Sequence, residues 1–122
     1  RLLKEGVNQN NFTLTSDGQG SMPVFNEKKE YVGIGIGKST SLIKGIKECV
    51  FNEDIPLEIA IRAITSNPAR ILKLNKKGNI DTGMDADLCL LDENLNVDTV
   101  IAKGKLMVQD KKPVVYGTFE NK

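Results

Sequence analysis

Phe12 and Leu14 alternate with Thr13 and Thr15, the period of a half-buried strand. The pattern stops at Asp17, and Gly18 and Gly20 follow at once, leaving the backbone free to turn sharply and to approach a ligand closely. From residue 39 to residue 51 the apolar positions switch to helical spacing, through Leu42, Ile43, Ile46, Cys49 and Val50. Lys44, Lys47 and Glu48 fall on the other face, and Ser39 is placed to cap. A second helix is predicted from Pro56, whose fixed φ suits a first turn. Leu57, Ile59, Ala60, Ile61, Ala63 and Ile64 make it apolar around most of its circumference, which predicts burial on more than one side. Asn67 as cap and Pro68 as first residue predict a third, short helix running through Ala69, Ile71, Leu72 and Leu74. Gly78 ends it or the turn after it.

Beyond Gly78 the texture changes. Residues 86–92 form a short apolar run bounded by acids and predict a strand, as do residues 97–102 and 105–109. Lys103 and Gly104 suit a hairpin turn between the last two. Residues 111–113 turn into a final short stretch at 114–116. Residues 32–37, VGIGIG, carry too much glycine for a good strand and lack the spacing of a dinucleotide fingerprint. A backbone-packing loop is expected there. The order of strand, helices and consecutive strands predicts a βα element followed by a small antiparallel sheet.

Composition narrows the class. The 122 residues are 39% hydrophobic and 27% charged, as in soluble globular proteins. With 5% aromatic residues and no Trp, the core has to be aliphatic. A formal net charge of +1 supplies no field to attract nucleic acid or an anionic membrane. No apolar run approaches the roughly 18 residues of a membrane-spanning helix. Cys49 and Cys89 are too few for a disulfide framework and lack zinc-site spacing. They are expected as buried free thiols, which points to the cytoplasm. Residues 1–6, RLLKEG, read as the last turn of a helix ending at glycine, so the chain is expected to be a C-terminal piece of a longer one.

Ligands bind at the carboxyl ends of strands in parallel α/β sheets and barrels, so the carboxylate of Asp17 is placed for chemistry. An Asp before Gly also commonly caps a turn with its own side chain. The residues alone leave both roles open.

Three segments in order, SNPARIL at 66–72, KGNI at 77–80 and GMDADL at 83–88, resemble the C-terminal signature of the amidohydrolase superfamily. TSDGQGS at 15–21, AKGKLMV at 102–108 and GTFE at 117–120 are similar to its isoaspartyl (β-aspartyl) dipeptidase family. The resemblance covers essentially the whole chain, but only the C-terminal minority of such an enzyme. It implies an α/β fold: the last strand and helices of a metal-dependent hydrolase (β/α)8 barrel at 1–75, then strands of a small antiparallel β-domain at 76–122. It also implies hydrolysis of β-aspartyl dipeptides at a two-zinc centre. Asp17 matches the Asp that binds one metal and shuttles the proton. Ser21, beside Gly20, matches the residue that helps hold the substrate's α-carboxylate.

The remaining ligands of that family are histidines and a carboxylated lysine from earlier strands. This chain has no His, and none of its lysines falls at the bridging position. Zinc takes three or four protein ligands, so the chain alone is expected to bind no zinc and to be inactive. The partners implied are a small dipeptide, the remainder of its own barrel and further copies in a homo-oligomer, with no nucleic acid and no membrane. Two alternatives stand beside this reading. A deacetylase, dihydroorotase or deaminase-type amidohydrolase would keep the Asp without the GQGS continuation. A non-catalytic scaffold relative would have no use for a carboxylate at that strand end.

Overall fold

Asn26 organises the first regular element of the computed structural model, which describes residues 3–118. Its side-chain Oδ1 accepts from the N–H groups of Lys28 and Glu30, each at 3.0 Å, and its carbonyl accepts from Lys29 N–H at 2.9 Å. Asn side chains close turns in this way. The turn joins β1 (Ser21–Phe25) to β2 (Tyr31–Ile36) in a two-stranded antiparallel sheet. Phe25 and Tyr31 face each other at its closed end, edge to face with centroids 6.3 Å apart, a favourable aromatic geometry. Residues 32–36 therefore belong to a strand rather than the expected loop, and only Gly37 lies beyond it. Val24 folds over Gly35, its Cγ2 standing 3.0 Å from where a Cβ would be, so neighbouring side chains fill what the glycines leave empty. Pro23 is tolerated because both strands of a two-stranded sheet are edges.

Residues 12–17 carry no ladder among the described residues, against the strand expected at 12–15. A strand exists only through a partner, and here Leu14 N–H donates to the carbonyl of Ala63 at 3.0 Å instead.

Helix α1 (Ser41–Lys47) continues into one π-helical turn at Glu48–Asn52. Ile46 is fully buried, with Leu42, Ile43, Cys49 and Val50 half-buried along the expected face. Ser39 does not cap it. Thr40 holds that position without a side-chain bond. Helix α2 (Leu57–Arg62) begins one residue after Pro56, which serves as its cap residue at ψ 136°. Ala60 and Ala63 are buried on it, and Leu57, Ile59, Ile61 and Ile64 are half-buried. Together with Ile46 these alanines form the core of the first of two compact units, Arg1–Ile64. The expected helix end at residues 1–6 lies partly outside the described residues, which begin at Leu3.

The second unit is Thr65–Lys122. Helix α3 (Ser66–Ile71) starts earlier than expected: Asn67 is a buried helical residue and not a cap, and Pro68 stands third. Gly78 packs on its first turn at φ +85°. The sheet of this unit is an antiparallel meander of β3 (Leu88–Leu91), β4 (Val97–Ala102), β5 (Lys105–Gln109) and β6 (Lys112–Pro113). Lys103 and Gly104 make the expected tight turn, both at positive φ, as a primed hairpin turn requires. The last strand falls at 112–113 rather than 114–116, because Asp110 and Lys111 supply the positive-φ turn. Part of the GTFE segment lies outside the described residues.

Two ionic clusters tie the loops of this unit. Lys77 Nζ lies 2.8 Å from Asp85 Oδ2 and also bonds Asp87, while Asp87 Oδ1 accepts from Lys103 N–H at 2.7 Å. Asp92 accepts from Lys111 Nζ at 2.7 Å, from Asn96 Nδ2 at 3.0 Å, and from the N–H groups of Asn94 and Asn96. The loop so formed buries Leu95. The cysteines depart from expectation: both are free, but Cys49 is half-buried and Cys89 exposed. No helix among the described residues is long and apolar enough to cross a membrane.

Candidate functional site

The turn after residue 16 is closed by the backbone. Gly20 N–H donates to the Asp17 carbonyl at 2.9 Å, so Asp17 does not spend its carboxylate on capping. Thr15 Oγ1 accepts from Asp17 N–H at 3.4 Å. Asp17 and Gln19 both sit at positive φ, 45° and 70°, a conformation Asp adopts more readily than most residues.

Two further backbone bonds lock this turn onto the open end of the hairpin. Gln19 N–H donates to the Gly37 carbonyl at 2.9 Å, and Gly37 N–H donates to the Gly20 carbonyl at 2.8 Å. Gly37 is buried, and a Cβ there would run into the carbonyls of Asp17 and Ser16. Only glycine allows so close a crossing of two chain segments.

Beside this crossing lies a cavity of about 460 Å³ lined by Leu14, Asp17, Met22, Ile36, Lys38 and Leu42 together with three hydroxyl side chains. It has one acid, one base and an apolar wall. The carboxylate of Asp17 hangs over Gly20, with Oδ1 2.5 Å from the position of a Gly20 Cβ.

The three residues singled out in the sequence thus share one turn. Asp17 faces the cavity, Gly20 gives its carboxylate room, and Ser21 is the exposed first residue of β1, opposite Ile36. Met22 rather than Ser21 is among the residues lining the cavity. Lys38 and Met22 were not legible as site residues. The one signal for their neighbourhood was the glycine run ending at Gly37.

Zinc requires three or four ligands from Cys, His, Asp or Glu. The sequence contains no His, and no group of three or more such side chains comes together among the described residues. The residues of this chain do not by themselves fit a zinc centre; Asp17 offers one carboxylate.

The model of the amidohydrolase family matches residues 1–107. A solved structure of β-aspartyl dipeptidase from Fervidobacterium islandicum AW-1, in complex with β-Asp-Leu dipeptide, is similar to 98% of this chain at 35% identity and a TM-score of 0.81, and the match spans 30% of that chain. N-acetylglucosamine-6-phosphate deacetylase from Homo sapiens is 41% identical over 54 residues, 43% of this chain and 13% of that protein. The corresponding deacetylase structure from Pasteurella multocida, 19% identical with a TM-score of 0.66 over 88% of this chain and 32% of that one, shares the fold. This chain spans less than a third of the length of each of these proteins.

Proposed function

The chain belongs to the amidohydrolase family, and on that premise we propose that it is the C-terminal part of a zinc-dependent isoaspartyl dipeptidase, which hydrolyses β-aspartyl dipeptides and is inactive without the rest of its barrel. The observation that carries this reading is the likeness to the dipeptide-bound β-aspartyl dipeptidase along nearly the whole chain, reaching across the turn that holds Asp17. Residues 1–75 are assigned to the end of the catalytic barrel and residues 76–122 to the small β-domain.

Asp17 is the proposed acid–base residue. Its carboxylate would accept the proton of the attacking water and return it to the leaving amine, and in the full-length enzyme it would also be one ligand of the zinc centre. The chemistry needs a carboxylate that is reachable and not consumed by a structural bond. The backbone-closed turn and the cavity in front of Asp17 meet that need. Gly20 and Ser21 are assigned to the substrate's α-carboxylate. The Ser21 hydroxyl is a donor at the start of β1, and Gly20 beside it leaves room for the Asp17 carboxylate.

A second reading is a deacetylase, favoured by the similarity to N-acetylglucosamine-6-phosphate deacetylase. The two are separated by assaying the full-length protein on β-Asp-Leu and on N-acetylglucosamine 6-phosphate. Release of leucine is expected. Deacetylation without dipeptide turnover would overturn the dipeptidase reading.

A further inference from the structure

We propose that Gly37 is a positioning residue for Asp17: it fixes the backbone from which the carboxylate springs and takes no part in the chemistry itself. The inference rests on the reading of Asp17 as the acid–base residue and extends it to what holds that residue in place. Gly37 is distant from Asp17 in sequence and reaches it because β1 and β2 pair, with Ser21 opposite Ile36. The contacts between them join backbone to backbone within the first unit. They do not depend on what else lines the cavity.

Gly37 donates its N–H to the Gly20 carbonyl and accepts from Gln19 N–H, while Gly20 N–H closes the turn on the Asp17 carbonyl. The turn of residues 17–20 is thus bonded to itself and, at two points, to one buried glycine. That glycine also lies flat against Asp17. A Cβ on it would stand 2.1 Å from the Asp17 carbonyl oxygen, 2.9 Å from the carbonyl carbon and 3.1 Å from the Ser16 oxygen. All three are backbone atoms, so no side-chain rotation relieves the contact. Ordinary contact requires the two segments to part by about 1 Å, and a shift of that size in a catalytic group lowers rates on the order of a hundredfold. Gly20 differs in kind, because a methyl group there meets the carboxylate itself. Gly37 acts on the carboxylate only through the peptide that carries it.

The test is a double-mutant cycle in the full-length enzyme, with kcat and KM measured on β-Asp-Leu for wild type, Gly37→Ala, Asp17→Asn and the double variant. Gly37→Ala alone should lower kcat about ten- to a hundredfold, with KM changed less than about threefold. In the Asp17→Asn background it should lower kcat less than about twofold, since a residue that acts through Asp17 has nothing left to act on. Gly35→Ala, whose Cβ would meet the tip of the Val24 side chain, should leave kcat unchanged. A second measurement needs no variant: hydrogen exchange in wild type should protect the amides of Gln19, Gly20 and Gly37 to the same degree, because they open together. That result decides alone if Gly37→Ala does not fold. Equal kcat losses in the two backgrounds, a change in KM alone, or amides exchanging as fast as those of an open loop would overturn the role of Gly37. A wild type that deacetylates N-acetylglucosamine 6-phosphate and leaves β-Asp-Leu intact would overturn the dipeptidase reading only, and the same cycle on that substrate then tests Gly37.

Discussion

A Cβ on Gly20 would stand 2.5 Å from Oδ1 and 2.6 Å from Cγ of Asp17, so the Asp17 carboxylate occupies the space that a side chain at Gly20 would take. No pair of heavy atoms tolerates that separation without a shift, and the easier one to move is the end of the Asp17 side chain. The backbone around it is hydrogen-bonded on three sides.

Gly20→Ala is therefore expected to displace the carboxylate and leave the fold intact. Misplacing a catalytic group by about 1 Å costs on the order of a hundredfold in rate. In the full-length enzyme kcat should fall about ten- to a hundredfold, with a melting temperature within a few degrees of wild type. A large drop in melting temperature alongside lost activity would show that the turn itself had failed.

Asp17→Asn removes the charge with almost no change in volume, and Asn tolerates the same positive φ. Loss of general acid–base help lowers rates by about 10²–10⁴, so kcat on β-Asp-Leu should fall by at least about a hundredfold. Circular dichroism should be unchanged. A loss of less than about tenfold would assign Asp17 to the turn alone.

Gly78→Ala probes the packing of the second unit. Gly78 is at φ +85°, and a Cβ there would lie 2.6 Å from Ala69 Cβ and 2.9 Å from the Thr65 carbonyl, neither of which is the tip of a flexible side chain. A left-handed conformation costs a residue with a Cβ about 1–2 kcal/mol, and overpacking adds about 1–3 kcal/mol. Gly83 has the same φ, +85°, with nothing within 4 Å of its Cβ position, so Gly83→Ala should show the backbone cost alone. Denaturant midpoints of the two variants should differ by the packing contribution, with Gly78→Ala the less stable.

The Asp92 cluster sets an acid limit. The Lys111 ammonium, then the side chain and backbone N–H of Asn96, hold the Asp92 carboxyl far below the usual carboxylate range. Lys77 does the same, less strongly, to Asp85 and Asp87. A folded-state pKa below the unfolded value contributes stability that is present above the unfolded pKa, near 4, and is lost as pH falls below it. Urea midpoints should therefore decline steadily below about pH 4, and Asp92→Asn should flatten that decline. Lys111 has the opposite sign. Asp92 raises its pKa, so its contribution holds until pH rises past the ordinary lysine range, about 10.4.

The parts of this molecule governed by neighbours in sequence were legible from sequence. Residues 97–102 and 105–109 are largely apolar strands joined by a lysine and a glycine, and the positive φ at both turn residues follows from their identity and spacing. The face of α1 that buries Ile46 likewise follows from helical periodicity. Asp17 and Gly20 are three positions apart, so a turn that brings them together is a local event.

Tertiary structure decided the rest. Residues 12–15 have the alternation of a strand, but alternation supplies no partner, and Leu14 N–H is taken by Ala63. Residues 31–36 have too much glycine to look like a strand, yet pairing with β1 makes them one, because Val24 covers Gly35 and the aromatic pair closes the end. The same pairing places Lys38 at the cavity of Asp17 although 21 positions separate the two. The register that sets Ser21 opposite Ile36 brings the chain back to its starting point. Local pattern determines which segments can be strands, helices and turns; cross-strand pairing, which depends on residues far apart in the chain, determined which side chains share the site.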